Sequence, residues 1–65
     1  MSGKVRLIGR VIADSGSELT FETKSGTYTY KINRMAAEML SDLARYKPGK
    51  AMSIAKNVAD SVTKG

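Results

Sequence analysis

Up to Ile32 the chain alternates apolar and polar residues with period two, and from Asn33 onward the spacing becomes that of a helix. The clearest stretch is Leu19 to Tyr30, LTFETKSGTYTY. Folded at a Ser25-Gly26 turn, it sets Thr23 opposite Tyr28, Phe21 opposite Tyr30 and Leu19 opposite Ile32 on one face. Glu22 opposite Thr29 and Thr20 opposite Lys31 fall on the other. Lys4 to Ala13 alternates as cleanly. Val5, Leu7, Gly9, Val11 and Ala13 share one face, and Lys4, Arg6, Ile8, Arg10 and Ile12 the other. Asp14-Ser15-Gly16 suits a three-residue hairpin loop with Gly16 in the left-handed position. That loop pairs Val11 with Leu19 and Gly9 with Phe21, whose ring covers the glycine. The expected sheet is a three-stranded antiparallel meander with its apolar residues on one side.

Asn33 is a good N-cap, and Arg34 to Tyr46 then reads as a helix. Met35, Met39, Leu43 and Tyr46 form its apolar stripe, with Ala36, Leu40 and Ala44 beside it. Pro48 disfavours helical geometry at Lys47, so Lys47-Pro48-Gly49-Lys50 reads as a break. A second helix is expected from about Ala51 to Val62, shorter or looser than the first, with Ala51, Ile54, Ala55, Val58 and Val62 on its apolar face. Asp60 and Lys64 would form a helical pair if the helix reached that far. The expected architecture is α+β, in the order β-β-β-α-α, with both helices packed on one sheet face.

A chain of 65 residues is expected to form one domain, residues 1–65. At this size only ~60% of the extended-chain surface is buried on folding. The chain has no Cys and no His, which removes disulfides, thiol chemistry, Cys/His zinc sites and a His base. Oligomerisation is the remaining common staple, so a homodimer is one expectation. No apolar run approaches the ~20 residues of a membrane span. Arg6 and Arg10 interrupt any signal-peptide core after Met1-Ser2-Gly3-Lys4, so a cytoplasmic location is expected.

Charge changes the picture most. Eleven basic against six acidic residues give +5 and a pI near 9.8, the balance of a protein that meets polyanions. On the expected solvent face Lys4, Arg6, Arg10, Lys24 and Lys31 stand among Thr20, Thr27 and Thr29. Such a face can track phosphates, although Glu18 and Glu22 share it. Arg34 adds to this set, and Arg45, Lys47 and Lys50 form a second basic group at the Pro-Gly turn, with Lys56 further on. Ile8 and Ile12 either lie under a helix edge or form a dimer or partner contact. Tyr28 and Tyr30 are expected on the core side with Phe21, and Tyr46 nearer solvent. The carboxylates are spaced for a turn, a sheet face (Glu18, Glu22) and a helix face (Glu38, Asp42), which suits charge balance better than catalysis. The chain is expected to be neither an enzyme nor the holder of a cofactor.

Around Tyr28-Thr29-Tyr30 the chain resembles the KTSC domain at the C-terminus of some lysyl-tRNA synthetases. The shared features, over roughly Leu19 to Val58, are length, a YxY motif after a strand and Gly turn, and a helix leading to a Gly break. Met52 and Asn57 are poor matches to the aromatic and Asn that follow the break in that family. The resemblance implies RNA binding. The strand-helix order is also similar to the sheet-reading arm-binding domains of phage-type integrases. Two expectations follow. The first is a basic domain that binds DNA or RNA through its sheet face and interhelical loop. The second is a protein-interaction module, such as a phage-type inhibitor docking on an acidic protein surface or an adaptor dimerising through Ile8 and Ile12.

Overall fold

A computed structural model describes residues 4–65; Met1-Ser2-Gly3, the start of the chain discussed above, lies outside them. The elements are β1 (Arg6–Val11), β2 (Ser17–Thr23), β3 (Gly26–Ile32), α1 (Arg34–Leu43), α2 (Pro48–Val58) and β4 (Ser61–Lys64). The class is α+β, as expected, but the sheet has four antiparallel strands in the order β1-β2-β3-β4. The expected second helix ends early, at Val58, because Ala59 turns extended. β-branched Val62 and Thr63 then pair with the outer edge of β3, which would otherwise leave unpaired backbone groups. Asp60 N–H to Lys31 O and Gly65 N–H to Thr27 O, both 2.8 Å, bracket the new strand. No Asp60–Lys64 helical pair exists. α2 is also no shorter than α1, with 11 residues against 10, because Pro48 starts it at the first helical position rather than preceding it.

The β2–β3 hairpin keeps its expected faces in a different register. Phe21 lies opposite Tyr28, and Leu19 opposite Tyr30. The loop is the tighter Lys24-Ser25, closed by Gly26 at φ +127. Thr23 Oγ1 accepts from Ser25 N–H and donates to Gly26 O, both at 3.0 Å, which fixes the turn there. A slip by two leaves every side chain on its own face.

In β1 the expected faces hold only for the first half. The ladder shifts between Leu7 and Gly9, so Ile8 and Gly9 together oppose Thr20. This bulge reverses the alternation. Leu7 still faces Phe21, but Gly9 and Val11 turn to the open face, while Arg10 and Ile12 turn toward the helices. Arg10 Nη1 donates to Ser41 Oγ on α1 at 3.1 Å, and Ile12 packs against the core. The expected solvent-face positions of Arg10 and Ile12, and the cover of Phe21 over Gly9, are therefore corrected.

Large residues on the sheet meet small ones on the helices. Leu19, Phe21, Tyr30 and Ile32 are buried against Ala37, Leu40, Ala44, Ala51 and Ala55. Phe21 and Tyr30 meet edge-to-face at 5.9 Å. Because the sheet supplies the bulk, α1 turns its alanine side inward. The Met35, Met39 and Tyr46 stripe is left 73%, 67% and 80% exposed. Asn33 caps α1 as expected, its Oδ1 accepting from Ala36 N–H at 2.8 Å.

Candidate nucleic-acid interface

The open sheet face is charge-balanced. Arg6 donates to Glu22 Oε1 from Nη2 at 2.7 Å and from Nε at 3.1 Å. Lys31 stands opposite Glu18 on β2. Between these pairs runs a row of hydroxyls, Thr20, Thr29 and Thr63, with Thr20 and Thr29 hydrogen-bonded at 3.0 Å. Arg10 has left this face, and Lys24 sits in the turn at its end.

Charge is sorted along the strands instead of across the sheet. One end of the molecule gathers the start of β1, the β2–β3 turn, the α1–α2 loop, the first turn of α2 and the tail of β4. That end holds seven basic residues, Lys4, Arg6, Lys24, Arg45, Lys47, Lys50 and Lys64, against Glu22 and Asp42. The other end and the middle hold Arg10, Lys31, Arg34 and Lys56 against Asp14, Glu18, Glu38 and Asp60. The whole +5 excess therefore lies at one end.

The two cation types are used differently. Every ion pair among the described residues uses an arginine: Arg6–Glu22, Arg34–Asp14, Arg34–Glu38 at 3.4 Å and Arg45–Asp42 at 3.8 Å. Its two carboxylate partners hold the exposed Arg34 guanidinium's pKa above the ordinary arginine value, the bond to Asp14 contributing most. Arg34 thus sits at the balanced end, stitching α1 to the β1–β2 loop. None of the lysines forms an ion pair among the described residues. Free positive charge at the basic end is accordingly ammonium, a mobile point charge, and not the bidentate fork that reads bases.

Of the sequence-derived residues, Lys4, Arg6, Lys24, Arg45 and Lys50 come together at this end. Arg10, Lys31 and Arg34 do not. Ile8 is exposed beside Thr20, on the opposite side of the sheet from Ile12. Lys64 was missed; reading Ser61–Lys64 as an edge strand would have placed it here. Its Nζ lies 5.7 Å from the Tyr28 ring centroid. Tyr46, fully outward at the end of α1, stands between Arg45 and Lys47.

Elsewhere, a cleft of about 360 Å³ opens where α2 meets β4, with Tyr28 and Tyr30 in its wall. Burial, and secondarily the neighbouring Tyr28, pushes the Tyr30 hydroxyl's pKa above its usual value. Among the described residues no group of three or more His, Cys, Asp or Glu is placed to hold a metal. No helix among them is long and apolar enough to cross a membrane. Compared with known proteins, the chain matches no family model, and no curated protein or solved structure matches it significantly.

Proposed function

We propose that this chain is a small nucleic-acid-binding domain that meets phosphates with its basic end. The observation that carries the reading is the gathering of the net charge at that end as lysines that form no ion pair among the described residues. Lys4, Lys24, Lys47, Lys50 and Lys64 neutralise phosphates and release condensed counterions, which gives affinity without sequence readout. Tyr46 among them offers a stacking surface for an unpaired base. This replaces the open sheet face as the contact surface. The resemblance around Tyr28-Thr29-Tyr30 leans the reading toward RNA. No catalytic step is proposed, and the expected location is the cytoplasm.

The deciding experiment is a salt titration of binding to duplex DNA, single-stranded DNA and RNA by fluorescence anisotropy. If each free lysine at the basic end contacts one phosphate, log affinity for a duplex falls with log salt at a slope of about −4 to −5. Absence of binding to all three at low salt, or a flat salt response, would overturn the proposal. The competing reading, a module that docks on an acidic protein surface, uses the same lysines. It is favoured if nucleic acid fails and an acidic polypeptide binds with the same salt response.

A further inference from the structure

Tyr30 is only 2% exposed, yet its hydroxyl takes part in none of the hydrogen bonds among the described residues. A buried tyrosine usually finds a partner for that group. Among the described residues no polar side-chain atom is both fully enclosed and unpartnered, so the hydroxyl is the part of Tyr30 that meets the surface. It does so in the cleft of about 360 Å³ between α2 and β4. β4 builds this cleft by extending the sheet past α2, with Val62, the neighbour of Tyr30, left exposed on the helix side. The link from Ala59 to Ser61 closes one end. There Lys56 and Asp60 balance each other's charge without forming an ion pair, which leaves the Asp60 carboxylate able to accept. Toward the other end stands Tyr28, with Lys64 Nζ 5.7 Å from its ring centroid. Lys64 belongs to the basic end, so cleft and lysines are continuous.

We propose that this cleft takes one unpaired nucleotide of a single strand whose phosphates lie along the basic end. This role rests on the reading of that end as a phosphate surface, and adds the place where a base enters the fold. The volume is near the lower end for ligand clefts, about 300–1,000 Å³, which suits one nucleotide and not a folded partner. The Tyr28 ring offers its face to a flat, π-rich base. The Tyr30 hydroxyl both donates and accepts, and Asp60 accepts, which matches the mixed donor and acceptor edge of a base. The excess positive charge of the cleft is Lys64, at the Tyr28 end. The base therefore points inward, and its phosphate lies outward beside Lys64. A base held in a duplex must first leave its stack to enter. The cleft thus selects single strands, which lysines alone do not.

The test is parallel anisotropy titration, at low salt, of a labelled single-stranded RNA, the single-stranded DNA of the same sequence and its duplex. The titrants are the full chain and two variants that leave its charge unchanged. Tyr28→Leu removes the ring and keeps apolar bulk, and Tyr30→Phe removes the hydroxyl alone. Single-strand affinity is expected to fall about tenfold or more in Tyr28→Leu. It should fall a few-fold in Tyr30→Phe, with duplex affinity unchanged in both. Unchanged single-strand affinity in either variant, or an equal loss on the duplex, would overturn the cleft as a nucleotide site while leaving the basic-end reading in place. Failure of the parent to bind any of the three would overturn both. Circular dichroism checks that Tyr28→Leu folds. Should it not fold, Tyr30→Phe decides, since it keeps the buried ring. An acidic, tyrosine-containing peptide that binds the parent and is weakened by Tyr30→Phe, where single strands are not, would make a protein side chain the occupant and overturn the proposal.

Discussion

The two ends of this molecule handle their polar groups in opposite ways. At the balanced end the side chains bind one another. Asn33 caps α1, the buried Ser17 hydroxyl closes the β1–β2 loop against Ala13 N–H and O at 3.0 and 3.2 Å, and Arg34 joins Asp14 to Glu38. At the basic end the loops are held mainly by backbone and by Thr23, and the lysines form no ion pair among the described residues. α2 even begins there without a side-chain cap. The first end closes the fold, and the second leaves its charge for something outside it. Substitutions at the two ends should therefore separate stability from binding.

The largest effect is expected from charge reversal. Lys24→Glu with Lys47→Glu should weaken nucleic-acid binding about a hundredfold at low salt, without loss of folding. Lys31→Glu with Lys56→Glu makes the same change in net charge at the other end and in the middle. It should cost only a few-fold, through the long-range field. Parallel anisotropy titrations of the two double variants measure this. Equal losses would mean that net charge matters and its location does not. Next in size is Tyr46→Ala. If the ring stacks on an unpaired base, single-stranded affinity falls by about 1–3 kcal/mol while duplex affinity changes little. Equal effects on the two substrates would remove Tyr46 from the contact.

Much of this arrangement was legible in the alternation of the chain. The hairpin faces, the burial of Phe21 and Tyr30 and the cap at Asn33 follow from residue type and parity. They survived a two-residue register error because parity is unchanged by an even slip. The bulge at Ile8 was not legible. An extra residue looks like ordinary alternation until the partner strand is set beside it, and it moved both Arg10 and Ile12 to the helix side. The rotation of α1 was hidden for a different reason. Bulk suggests that Met35 and Met39 face inward, but against a sheet already carrying Phe21 and Tyr30 the helix buries Ala37 and Ala44 with a single large residue, Leu40, between them. The basic end was the least legible feature. It depends on which loops meet in space, and the strand Ser61–Lys64, which delivers Lys64, lies in a run of weak helix propensity.

Stability should show the reverse of the binding pattern. Ser17→Ala leaves the half-buried Ala13 N–H without its partner, although Ala13 O still accepts from Gly16 N–H, and is expected to cost about 1 kcal/mol. Asn33→Ala removes the cap of α1, at about 1 kcal/mol. Lys24→Ala and Lys47→Ala, exposed and unpaired, should stay within about 0.5 kcal/mol of the parent. Urea unfolding of the four variants measures the contrast. A destabilisation by Lys47→Ala as large as that by Asn33→Ala would show that the basic end is also structural.

The smallest effect lies along β3, between Tyr28 beside Lys64 and Tyr30 beneath the helices. Burial, and then Tyr28, holds the Tyr30 pKa above the usual tyrosine value near 10. Above about pH 10 the unfolded chain gives up this proton while the folded chain keeps it. The native state then binds more protons than the unfolded one, and stability falls as pH rises. The contribution is fully present below pH 10 and is lost progressively as the pH climbs through the folded value. Tyr30→Phe has no proton to lose, so the parent should lose stability faster than Tyr30→Phe on going from pH 9 to pH 11. Lysine titration is common to both proteins and cancels in the comparison. Thermal unfolding across that range measures the difference, with absorbance at 295 nm reporting the late-titrating phenol directly. Identical pH profiles would mean that Tyr30 reaches solvent through the cleft between α2 and β4, so that the cleft, and not the core, governs its hydroxyl.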